Sequence, residues 1–266
     1  MSSLTVAWTL QKAALRSGMQ YRLNFFVGAV MAVAYQGSGF AFLWVVLARF
    51  HTIAGWTFGQ VAFLYGLRLL AHALWRLPFS QLESLSFALR DGQFDRYLVR
   101  PLNPLIQLMT RGFFMGTIGD VVTAIGVFAY ANHLTHISWT PVHIGYLVLA
   151  VVGGAAAEGA FVLAAVSLGF KSLLTWAAEF LVDNVYLLFG SYPLRLFGAT
   201  TSWVLTWIVP VAFVAYIPSG FLLGRTHDLH VAPVVSYVAP VIGLLWFAAA
   251  YQFWLFQVRH YQSAGS

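Results

Sequence analysis

The 266-residue chain contains no cysteine. That absence excludes disulfides, thiolate metal sites and cysteine nucleophiles together, and leaves the redox compartment open. Charge is almost as scarce: Asp, Glu, Lys and Arg make up 8% of the residues, against about 25% in soluble domains. With 60% apolar residues, a mean hydropathy of +0.78 and repeated apolar runs of about 20 residues, the length of a membrane-crossing helix, neither one large nor two small soluble domains is compatible with the chain. In lipid every backbone group must be satisfied within a helix or a closed barrel, and these runs are continuous, not alternating, so helices are selected. Also missing are a tandem repeat of 20 to 50 residues, in the range that marks repeat architectures, and a Pro/Ser-rich linker, so one domain over 1–266 is expected. A phosphate-cradling P-loop is excluded as well: Gly169-Phe170-Lys171-Ser172 lacks the glycine directly before the lysine and opens no strand-to-helix turn.

What charge there is points to topology. The 14 Lys and Arg exceed the 8 Asp and Glu, giving +6, but they stand singly between apolar runs, a pattern that orients spans and does not grip nucleic acid. In residues 1–22, Leu4, Trp8, Gln11 and Leu15 recur at helical spacing while Lys12 and Arg16 share another face, which predicts an interfacial amphipathic helix. Lys12, Arg16 and Arg22 precede an apolar stretch too long for a signal h-region, so no cleavable signal is expected. Spans are expected at about 24–48, 56–75, 105–130 and 143–170, the last holding Gly153, Gly154, Ala155, Ala156, Ala157 and Gly159, small residues that admit a close helix neighbour.

Residues 172–200 are ambiguous: apolar enough to insert, they carry Glu179, Asp183, Asn184 and Arg195 and are broken at Pro193. If they lie at the cytoplasmic interface or re-enter, 201–223 and 232–256 are the fifth and sixth spans and both termini are cytoplasmic. Lys12, Arg16, Arg22, Arg76, Arg90, Arg96, Arg100, Lys171, Arg195 and Arg259 are then inside, against Arg49 and Arg225 outside. If they cross, there are seven helices and Arg259 moves out. The positive-inside rule prefers six. The expected fold is therefore an all-α membrane protein of six transmembrane helices.

The densest charge lies at 76–104. Leu82, Leu85 and Leu89 form a short apolar stripe, Glu83, Arg90, Asp91, Asp95 and Arg96 are charged, Gly92 can close a helix, and Pro101 and Pro104 impose an extended entry into the third span. Residue physics alone favours an ordinary loop here. Inside the spans, Arg68, His72, Asp120 and Glu158 each cost at least about 2.5 kcal/mol unless paired or hydrated. They pair Arg68 with Asp120 or Glu158, or they line a substrate path or proton relay. The pairs His133/His136 and His227/His230 fall in short loops without an H-E-x-x-H pattern, so no metal ligands are assigned. Trp56, Trp139, Trp203 and Tyr237 suit interfacial belts.

Gly92, Asp95, Leu98, Arg100, Pro101, Pro104 and Leu105, in the arrangement G-x-x-D-x-x-L-x-R-P-x-x-P-L, resemble the signature of type-2 ABC exporter permeases. Tyr192-Pro193, Pro210 and Pro218 resemble that family's later proline-marked segments, and Arg259, Tyr261, Ser263, Ala264 and Gly265 resemble its Arg-x-Tyr-x-Ser-Ala-Gly tail. The amphipathic start is similar to the family's elbow helix. The resemblance implies a non-catalytic permease subunit of the plasma or inner membrane. It pairs with a second permease, identical or paralogous, and two cytoplasmic ATPases that bind ATP and Mg. This chain would bind no cofactor. In that frame Phe79 to Leu98 is a coupling lever, with Leu82, Leu85 and Leu89 docking on the spans, the charges facing the ATPase and Arg100 pinning the turn. The rival expectation is a self-sufficient secondary transporter or channel using Arg68, Asp120 and Glu158. A scaffold without transport is a third.

Overall fold

The computed structural model describes residues 3–20, 22–171, 182 and 184–262. Its helices are α1 (Ser3–Met19), α2 (Arg22–Phe50), α3 (Phe58–Phe79), α4 (Leu85–Arg90), α5 (Asp95–Leu98), α6 (Pro104–Met109), α7 (Gly116–Thr135), α8 (Pro141–Ser167), α9 (Ala199–Trp207), α10 (Ile217–Leu222) and α11 (Pro233–Arg259). A two-stranded hairpin, β1 (Thr52–Ile53) and β2 (Trp56–Thr57), joins α2 to α3. Its two turn residues, Ala54 and Gly55, both have positive φ, the geometry that matches strand twist in a two-residue loop. Trp56 follows and is fully buried.

The long helices pack in the order α2, α7, α3, α8, α11. One end of this bundle carries α1, residues 80–103, Phe170 and Tyr261; we call it basal. The apical end carries the hairpin, His136 and Arg225. Close crossings depend on residues without side chains. A Cβ at Gly243 of α11 would lie 2.0 Å from the Gly153 carbonyl oxygen of α8, and one at Gly153 would lie 2.4 Å from the Pro240 backbone. At the α2–α7 crossing, a Cβ at Gly119 would lie 2.3 Å from the Ala29 carbonyl oxygen. The small-residue stretch of α8 is thus consumed by close contact, as membrane helices require in the absence of a hydrophobic drive between them.

By length and composition three helices can cross a membrane, Leu23–Phe50, Pro141–Phe170 and Pro233–Arg259, or four with a bent pair. The molecule is therefore a helical membrane protein. Helices α3 and α7, of 22 and 20 residues, bear the buried charges Arg68 and Asp120, which dilutes their apolar signal. The third span differs from expectation. It does not run from Leu105 to Tyr130: α6 ends at Met109, residues 110–115 are not helical, and α7 starts at Gly116. Thr110 turns its hydroxyl back to the Ile106 carbonyl at 2.8 Å, and exposed Arg111 breaks the apolar run there.

The expected fifth span at 201–223 is corrected too. It is two helical pieces, Ala199–Trp207 and Ala212–Leu222, bent by 83°. Pro210 sits in the break, where its missing N–H and ring forbid a continuous helix, and the chain resumes through a π-helical turn over Ala212–Tyr216. Both ends of this piece are apical. Arg195 Nη1 lies 3.8 Å from Asp228 Oδ1, and Arg225 Nε lies 2.6 Å from Asp228 Oδ2. Two side chains that reach one carboxylate lie on one side of the molecule, so the assignment of Arg195 inside and Arg225 outside does not hold. Before this piece, the ring of Phe170 is basal, 5.1 Å from Trp254. Tyr186 then reaches the Ala157 carbonyl oxygen of α8 at 3.4 Å, and Arg195 is apical. Of the ambiguous stretch, 172–181 and 183 lie outside the described residues, Glu179 and Asp183 included.

Candidate functional site

Arg68, His72 and Arg76 recur every four residues along α3, a spacing that lines one helix face. All three border a cavity of about 330 Å³. Carboxylates come to this column from two neighbours, Asp120 on α7 and Glu158 on α8, and an amide comes from Gln36 on α2. The pairing expected for Arg68 is not made. Arg68 Nη2 donates to Gln36 Oε1 at 3.3 Å, and Gln36 Nε2 donates to Asp120 Oδ1 at 3.2 Å, so the amide separates the cation from the carboxylate. Asp120 Oδ2 faces Arg76 Nε at 3.9 Å. Glu158 Oε1 accepts from His72 Nδ1 at 2.5 Å. The Arg68 guanidinium stacks 5.3 Å from the Tyr65 ring centre, and the Tyr65 hydroxyl donates to the Gln36 carbonyl at 2.8 Å.

Each of these groups is nearly sealed from solvent: Arg68 is 2% exposed, Glu158 1% and Gln36 3%. Such burial is tolerable only for satisfied groups, yet Arg68 Nε and Glu158 Oε2 have no hydrogen-bond partner among the described residues. Sequence reasoning found four members of the column by their charge. It missed Gln36, Arg76 and Tyr186 as cavity-lining groups; a glutamine within α2 was the available signal for the first.

The basal region is built around a residue absent from the apolar stripe. Leu82, Leu85 and Leu89 are buried, but the anchor is Phe94, whose ring centre lies 5.0 Å from Phe170, 5.2 Å from Tyr261, 5.9 Å from Tyr97 and 6.3 Å from Trp254. The segment after Gly92, which takes the left-handed φ of 65°, is thereby wedged between the ends of α8 and α11. Arg90, Asp91, Arg96 and Arg100 are exposed, and Arg90 Nε faces Asp91 Oδ1 at 3.5 Å. Asp95 is half-buried; the Glu83 side chain and Ser263, Ala264 and Gly265 lie outside the described residues.

Among the described residues, no hydrogen bond of the Arg100 side chain pins the turn. That side chain is exposed, and two amides hold the turn instead. Gln107 Nε2 donates to the carbonyls of Tyr97 at 2.8 Å and Leu102 at 2.7 Å. Asn103 caps α6 by accepting from the Leu105 N–H at 2.9 Å, and its Nδ2 donates to Tyr251 of α11 at 2.7 Å. Pro101 is exposed and Pro104 opens α6 at its first turn, where the missing N–H costs nothing.

At the apical end Arg225 clamps three pieces of chain. It donates to the Gly55 carbonyl at 2.8 Å, to Gln60 Oε1 at 2.6 Å and to Asp228 at 2.6 Å. Gln60 also accepts from the Thr57 N–H at 3.0 Å. His133 and His136 have ring centres 6.2 Å apart, and among the described residues no three His, Asp or Glu side chains gather as a metal site would require.

Nothing among curated proteins or solved structures matches the chain. Residues 33–265 match the family model described as ABC-2 family transporter protein. That stretch takes in every long helix but the first turns of α2, the charged column and the Phe94 wedge. The chain belongs to the ABC-2 transporter family and is a membrane permease component of an ABC transporter.

Proposed function

We propose that this protein is the membrane half of an ATP-driven exporter, working with a second permease copy or paralogue and with separate cytoplasmic ATPases that carry ATP and Mg. The observation that carries the reading is the Phe94 wedge. A surface bearing Phe87, Arg90, Asp91, Arg96, Leu98 and Val99 is exposed at the basal end, and it is tied through one buried ring to the ends of α8 and α11. Force applied to that surface by a nucleotide-driven partner reaches two spans without passing through a flexible loop.

Five helices fit as crossings, α2, α3, α7, α8 and α11, and of the described residues on either side of 172–183, Phe170 is basal and Arg195 apical. Helices α9 and α10 then form a re-entrant piece from the apical side. Lys12, Arg16, Arg76, Arg90, Arg96, Arg100, Arg111, Lys171 and Arg259 gather basally against Arg49, Arg195 and Arg225 apically, so the basal end is cytoplasmic by the positive-inside rule. Helix α1 meets α3 through Gln11, which donates to the Leu77 carbonyl at 3.4 Å, consistent with an interfacial helix along that face. Both termini are then cytoplasmic.

Reconstitution tests the reading. Vesicles holding this chain and its companion ATPase should move cargo only with hydrolysable ATP and Mg. Cargo flux driven by a proton gradient through the chain alone would replace the reading with a secondary transporter built on Arg68, Asp120 and Glu158.

A further inference from the structure

Among the described residues, the charged column has one member whose charge is not answered. Arg76 and Asp120 face each other, and His72 and Glu158 are joined. Among the described residues, the buried Arg68 guanidinium meets the neutral Gln36 oxygen and the face of Tyr65, and Nε has no hydrogen-bond partner. Among the described residues no carboxylate lies within ion-pair distance of it. A guanidinium held this way in a low-dielectric interior is strongly destabilised unless an anion joins it, and Arg is the side chain best shaped for planar recognition of a carboxylate or phosphate. The same cavity offers a second open group, Glu158 Oε2, which is an acceptor. Glu158 is bound to His72, one helical turn along α3 from Arg68, and a turn rises about 5.4 Å.

The cavity's mouth indicates how a ligand arrives. Met31 and Tyr35 of α2 line it and are at the same time 66% and 60% exposed on the outer apolar face of that helix. The cavity therefore opens at the exposed apolar face of α2, a route suited to molecules that reside in a bilayer.

We infer that this cavity is the headgroup site for an amphiphilic cargo carrying an anionic oxygen for Arg68 and, about one helical turn away, a hydrogen-bond donor for Glu158 Oε2. The inference rests on the permease reading only for its word cargo; binding can be measured without transport. The site is a cradle for one phosphate or carboxylate and one ammonium or hydroxyl, with an apolar tail leaving past Met31 and Tyr35.

The test is binding of radiolabelled dodecylphosphoethanolamine to the detergent-solubilised full chain, competed by analogues. Dodecylphosphocholine, which lacks a donor, should compete several-fold less well. Dodecyltrimethylammonium, which lacks the anion, should compete at least tenfold less well, and free O-phosphoethanolamine should compete weakly. Arg68→Met should lower affinity at least tenfold and Arg68→Lys less than that. Glu158→Gln should erase the preference for phosphoethanolamine over phosphocholine while keeping phosphate binding. Should Arg68→Met fail to fold, the Arg68→Lys and Glu158→Gln pair decides by the direction of these changes. Equal binding of the cationic amphiphile, or no change with Arg68→Lys and Arg68→Met, overturns the assignment. Free phosphoethanolamine competing as well as its dodecyl ester overturns the amphiphile and leaves a soluble zwitterion. None of these outcomes touches ATP coupling, whose failure appears in the reconstitution alone.

Discussion

At the residue scale, a buried aromatic ring anchors the basal segment, and two amides make the hydrogen bonds that were expected of Arg100. Phe94 is fully buried among four aromatic rings, so Phe94→Ala should cost about 3 to 5 kcal/mol, the usual loss for truncating a core phenylalanine. The measurement is thermal unfolding of the purified chain alongside ATP-dependent flux. The wedge predicts that Phe94→Leu, which keeps part of the volume, retains more of both than Phe94→Ala; equal loss in the two would show that packing at this ring is not what ties the basal segment down. Leu82, Leu85 and Leu89 were legible because burial on one helix face writes itself as a three-to-four-residue period. Phe94 was not, since three of its four ring partners, Phe170, Trp254 and Tyr261, are 76 to 167 positions onward in the chain and no local period encodes them. The same holds for Arg100, whose prominence in a charged run concealed that Asn103 and Gln107, with both donor and acceptor atoms, suit the irregular backbone around Leu102 far better. At Gly243, by contrast, the requirement is steric: Gly243→Val drives side-chain atoms into the Gly153 carbonyl and should cost at least the 1 to 3 kcal/mol of an overpacked site, visible as loss of folded protein in detergent extracts.

At the element scale, apolar composition identifies segments that enter lipid and does not distinguish a crossing from a return. The runs at 24–48, 143–170 and 232–256 correspond to α2, α8 and α11 within a few residues. The run at 201–223 has the same composition yet is not one straight helix, because Pro210 and the π-helical turn bend it by 83°. Pro210 was visible in the sequence; the sidedness of Arg195 was not, because it depends on the contact with Asp228, 33 positions further along. The absence of native cysteine makes sidedness directly measurable. Single cysteines at Leu196, His227 and Lys171, all exposed, should separate into two groups with a membrane-impermeant maleimide. Leu196→Cys and His227→Cys should react from the same side, and Lys171→Cys from the opposite one. Reaction of position 196 together with position 171 would overturn the proposed re-entrant piece.

At the scale of the whole molecule, the two ends are built for different tasks. The apical end is closed by hydrogen bonds and ion pairs: Arg225 joins hairpin, α3 and the loop before α11. The basal end is closed from within by aromatic packing and leaves an outer surface that mixes apolar and charged groups, with Phe87 55%, Leu98 43% and Val99 83% exposed. A surface that mixes exposed apolar side chains with arginines and an aspartate suits a protein interface, and the apolar members should dominate its energy. Replacing Phe87 and Leu98 together by Asp should therefore abolish co-purification of the ATPase while changing the folding stability of the chain by no more than about 0.5 kcal/mol per site, the ordinary effect of surface substitution. Replacing Arg90 and Arg96 by Ala should act differently, weakening assembly chiefly through its rate and its dependence on salt, as rim charges do. Pull-down of the ATPase at low and high salt, with unfolding monitored in parallel, separates the two. If the Phe87 and Leu98 double variant keeps its ATPase, force enters the membrane half by another surface, and the Phe94 wedge is a stabilising core without a part in coupling.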